Sequence, residues 1–69
     1  MARIWASYDD IDKAIEVLKK YNTDIGTIPN VLIEDYKANL EKAYRGLRTR
    51  FYEKLVDELP PDIVKLFVQ

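Results

Sequence analysis

"NVLIEDYKANLEKAYRGLRTRFYEKLVDEL" runs from Asn30 to Leu59 and decides the fold. Apolar residues recur at Ile33, Tyr36, Leu40, Ala43, Leu47, Phe51 and Leu55, with spacings of 3, 4, 3, 4, 4 and 4. That is the period of one face of an α-helix, and a strand would alternate every second residue. Val56 and Leu59 add a second apolar edge at the far end. No proline falls inside the stretch, and Gly46 is its only glycine. The pattern predicts one helix over residues 30–59, about 45 Å long. Pro60 and Pro61 then stop it, because proline disfavours helix in the residue before it and cannot donate a backbone hydrogen bond.

Upstream, "SYDDIDKAIEVLKKYN" predicts a shorter helix over residues 8–21. Ser7 is a good N-cap, and Asp10 stands three residues on, as in a capping box. Asp9, Asp10 and Asp12 lie near its start and Lys19 and Lys20 near its end, each favoured by the helix dipole. Tyr8, Ile11, Ile15 and Leu18 form its apolar stripe, joined by Ala14 and Tyr21. Gly26 allows a left-handed turn between the two helices, and Thr27 and Pro29 suit the start of the second. The tail from Pro61 reads as a short helix with Ile63, Leu66 and Phe67 inward, or as an extended segment.

These elements give an all-α fold in one domain over residues 1–69: an antiparallel helical hairpin with a short C-terminal tail. The helix lengths do not match. The first helix covers the second only to about Tyr44 or Leu47, and Met1, Ile4, Trp5 and the tail cover part of the rest. A second copy would complete the cover, so a homodimeric bundle is expected. Its interface would use Leu47, Phe51, Leu55, Val56, Leu59, Leu66 and Phe67.

Composition narrows the chemistry. A chain of 69 residues buries only about 60% of the surface its unfolded form exposes. It has no cysteine and no histidine, so disulfides, thiolate metal sites and imidazole catalysis are excluded. Ser7 is the only serine, and no glycine-rich phosphate loop is present. The adjacent acids Asp9–Asp10 and Glu34–Asp35 diverge by about 100° on a helix and do not converge on one substrate. No enzymatic activity, cofactor or metal is expected. Formal net charge is −1, with 33% charged and 48% hydrophobic residues, a globular balance. No run of apolar residues is long enough to span a membrane. An intracellular, cytoplasmic protein is expected. Low cysteine, histidine and glutamine with many Lys, Glu and Tyr would suit a thermophilic source.

One segment stands apart. Lys42, Arg45, Arg48 and Arg50 share residues 42–52 with three aromatic residues and no acid. On a continuous helix the arginines straddle the apolar face, Arg45 and Arg48 to one side and Arg50 to the other. In the antiparallel register Asp9, Asp10 and Asp12 would lie near Lys42, Arg45 and Arg48 and neutralise them. Tyr44 and Phe51 would point inward, leaving Tyr52 exposed. Glu41 would pair with Arg45 and Glu53 with Arg50 along the helix. Two functions follow: a helical interaction or assembly protein acting through helix–helix contacts, or a dimeric nucleic-acid-binding regulator using Lys42, Arg45, Arg48 and Tyr52.

Overall fold

The structure, a computed structural model, describes residues 4–68. The described residues form four helices and no strand: α1 Tyr8–Asp24, α2 Asn30–Lys42, α3 Arg45–Glu58 and α4 Pro61–Val68. The result is a small all-α bundle.

α1 begins as its sequence predicts. Asp10 N–H donates to Ser7 Oγ at 3.4 Å, and Asp10 Oδ2 accepts from Ser7 N–H at 3.1 Å, closing the capping box. The helix runs to Asp24, three residues past the expected end, so Lys19 and Lys20 no longer occupy its last turn. Gly26 takes φ +82° and redirects the chain, a conformation an L side chain rarely adopts. At the start of α2 the expected Thr27 cap is not made. Pro29 holds the N-cap position, and its carbonyl accepts from Leu32 and Ile33.

The expected long helix is two helices. Ala43 and Tyr44 are extended, with ψ 146° and 165°, and α3 begins afresh from the Tyr44 carbonyl. The reason is tertiary. A 30-residue helix would span about 45 Å, whereas the longest axis of the chain is 29 Å. Breaking at Ala43–Tyr44 folds Leu47, Phe51 and Leu55 onto the same core as Ile33, Tyr36 and Leu40. The apolar period crosses the break unchanged because both helices present that face to one interior.

The register is also different. Asp12 meets Arg50 and Lys54, Lys19 meets Glu58, and Tyr8 lies beside Gly46 and Arg50. Moving forward along α1 moves forward along α3, so these helices run parallel. The antiparallel hairpin, in which Asp9, Asp10 and Asp12 would lie near Lys42, Arg45 and Arg48, is corrected accordingly.

α4 settles the tail as helical. Pro60 O accepts from Ile63 and Val64, and Ile63 and Phe67 are buried. Leu66, expected inward, is 39% exposed. α4 packs on α3 and α2 and covers apolar surface that the expected hairpin left open.

The centre of the core is aromatic. The Phe51 ring lies 5.1 Å from Trp5, 5.4 Å from Phe67, 5.9 Å from Tyr52 and 6.3 Å from Tyr36, centroid to centroid. Trp5 therefore plugs the core ahead of α1, while Ile4 stays exposed. Met1, also expected as cover, lies outside the described residues. A buried polar group holds Trp5 in place: the Trp5 backbone N–H donates to Asn39 Oδ1 at 3.0 Å, and Asn39 Nδ2 donates to Asp35 O at 3.2 Å. Burial, reinforced by Asp35 and Tyr21, raises the Tyr36 phenol to about 12. No helix among the described residues is long and apolar enough to cross a membrane.

Candidate nucleic-acid interface

The break between α2 and α3 makes a corner, and three unpaired cations stand at it. Lys42 ends α2, and Arg45 begins α3 one turn before Arg48. All three are exposed, and none forms an ion pair with another described residue. The expected neutralisation by α1 goes elsewhere. Asp12 accepts from Arg50 Nε and a terminal guanidinium nitrogen, each at 3.1 Å, and Lys54 approaches at 3.8 Å. The Arg50 bond holds the Asp12 carboxyl below its usual range, and the same bond raises the Arg50 guanidinium. Two turns on from the Asp12–Arg50 pair, Lys19 bonds Glu58 at 3.0 Å and lowers that carboxyl too. Asp9 pairs with Lys13 within α1. Arg50 thus uses its charge on Asp12, not on Glu53 as its sequence spacing suggested. Glu41 makes no pair with Arg45, because the helix that would align them ends between the two.

At the start of α3 the local electrostatics favour an anion, while α2 brings its negative end and the exposed Glu41 to the same corner. Tyr44 occupies the N-cap of α3 without a side-chain hydrogen bond, and the first turn contains no acid. The positive end of the helix dipole is therefore unopposed by a capping oxygen or a carboxylate. Arg45, Arg48 and Tyr52 stand at i, i+3 and i+7, close to one stripe of α3. Arg48 and Tyr52 also line a groove of about 270 Å³ with Lys37, Leu40 and Glu41 of α2 and Phe67 and Val68 of α4. Lys37 is a further cation facing this groove. Its sequence position gave no hint of that, because the α2–α3 turn alone brings it opposite Arg48.

The aromatic assignments are exchanged. Tyr52 is half-buried, and its hydroxyl donates to Phe67 O at 3.4 Å. Tyr44, expected in the core, is 58% exposed, and Tyr8 is 50% exposed. Both reach Gly46. A Cβ at that position would stand 2.8 Å from Tyr44 Cε2 and 3.1 Å from the Tyr8 hydroxyl. The Arg50 guanidinium carbon lies 5.4 Å from the centre of the Tyr8 ring, a cation–π contact. A glycine inside a helical pattern was the signal available in the sequence, and the groups approaching it are these two phenols.

The residues expected at a protein interface fall mostly inside the chain. Leu47, Phe51, Leu55, Leu59 and Phe67 are buried in its own core. Val56 and Leu66 remain on the surface, on α3 and α4. In comparisons with protein-family models, curated proteins and solved structures, none matches this chain.

Proposed function

We propose that this chain is a small helical nucleic-acid-binding domain that holds a phosphate backbone with Lys42, Arg45 and Arg48. One observation carries the reading. The cations that face α1, Arg50 and Lys54, are paired, as are Lys13 and Lys19; among the described cations with no acidic partner, Lys20, Lys37 and Lys65 lie elsewhere along the chain, whereas Lys42, Arg45 and Arg48 fall together at the α2–α3 corner. An exposed cation needs no partner to be stable. Three within a few residues of each other, beside an uncapped helix start, raise the local potential despite a net charge of −1. A helix–helix assembly function has less support, because only Val56 and Leu66 of its seven expected contact residues are exposed.

Salt dependence tests the reading. Three phosphate contacts give a slope of log affinity against log salt of roughly −2 for a single strand and −2.7 for a duplex. Raising salt from about 50 to about 200 mM should then weaken binding by roughly 20- to 40-fold. Fluorescence anisotropy with labelled oligonucleotides measures this. Replacing Lys42, Arg45 or Arg48 by Ala should each flatten the slope by about 0.7–0.9. Absence of salt-dependent binding, or a triple Ala variant that binds like the parent, refutes the proposal.

A further inference from the structure

Taking the phosphate-binding reading of the corner as its basis, we infer that the strand bound there is single-stranded, with an unpaired base stacked on Tyr44. Tyr44, next to Arg45 in the chain, and Tyr8, under the Arg50 guanidinium, are large aromatic side chains left half or more exposed, and the Tyr44 ring edge and the Tyr8 hydroxyl meet at Gly46. Neither is needed to fill the core, whose aromatic members are Trp5, Tyr36, Phe51 and Phe67. Gly46 lets both approach the first turn of α3, and at that helical position glycine is disfavoured by about 1 kcal/mol relative to Ala. Tyr44 immediately precedes Arg45 and follows Lys42 by two residues, so a base on its ring leaves the adjoining phosphates within reach of both cations.

The charge count also favours a single strand. Duplex binders rely on many phosphate contacts and are normally strongly basic. This chain has a net charge of −1 and three unpaired cations at the corner, which span only a short path. From Arg45 to Tyr52 the helix advances about 10 Å. Base–aromatic stacking supplies affinity without further charge, and only an unpaired base presents its face to a side chain.

The test compares a short labelled oligothymidylate, an oligouridylate and a duplex of matching length in anisotropy titrations. Both single strands should bind more tightly than the duplex. Tyr44→Ala should weaken single-strand binding by about 5- to 150-fold, with the salt slope unchanged, and Tyr44→Phe should retain it. Gly46→Ala supplies an independent variant: its methyl displaces the Tyr44 ring, so binding should fall while the thermal midpoint holds or rises. Tighter duplex binding, or a Tyr44→Ala variant that binds like the parent, overturns the inference and leaves the phosphate reading intact. Loss of all salt-dependent binding in the parent protein removes both.

Discussion

Replacing Phe51 by Ala tests the fold at its centre. The ring is fully buried and lies within 6.3 Å, centroid to centroid, of four other aromatic rings. They come from the segment before α1 (Trp5), from α2 (Tyr36), from α3 itself (Tyr52) and from α4 (Phe67). Truncating such a side chain costs roughly 3–5 kcal/mol through lost transfer energy and the cavity left behind. The upper part of that range applies here, because neighbours from four segments cannot all move inward at once. A chain of 69 residues has a total stability of roughly 3–10 kcal/mol, at about 0.05–0.15 kcal/mol per residue. Phe51→Ala should therefore bring the domain to the edge of unfolding at room temperature. Phe51→Leu keeps most of the volume and should cost less, roughly 1–1.5 kcal/mol. Urea unfolding followed by far-UV circular dichroism and by Trp5 fluorescence measures both, and the two probes should give one transition. The Trp5 ring is stacked on Phe51 with 27° between planes, so the near-UV dichroism of Trp5 should collapse in the Ala variant. A loss below about 1 kcal/mol with the Trp5 signal intact would show that Phe51 is not where the helices meet.

The parallel α1–α3 register predicts which charge swap is tolerated. Asp12→Lys and Arg50→Glu should each lower the thermal midpoint, and the double swap should recover part of the loss. Asp12→Lys with Arg45→Glu should recover nothing, and recovery there would restore the antiparallel hairpin. Asn39→Ala leaves the buried Trp5 backbone N–H without its acceptor and should cost roughly 1–3 kcal/mol, read from urea unfolding. Equality with a surface Ala substitution such as Glu53→Ala would place Trp5 outside the core.

The local sequence determined what local forces control. The Ser7–Asp10 box starts α1 because both partners lie within one turn. Gly26 turns the chain because only glycine accepts its φ freely. Pro60 and Pro61 end α3 and open α4 because proline acts on its immediate neighbours. The periodic apolar residues from Ile33 to Leu55 are core because they share one helical face. Periodicity reports which face is buried and carries no information on whether the axis stays straight. The break at Ala43–Tyr44 has no proline to announce it. It arises because one interior buries Leu40 and Phe51 together only if the chain bends between them. That bend reverses the expected register, sends Arg50 to Asp12 in place of Arg45 and Arg48, and turns Tyr44 from the core to the surface. It also brings Lys37 to the groove with Arg48. The composition of the candidate site could be read along the chain, but which cations are neutralised and which aromatics are exposed depended on contacts between residues 34 to 39 positions apart, and only tertiary packing decides those.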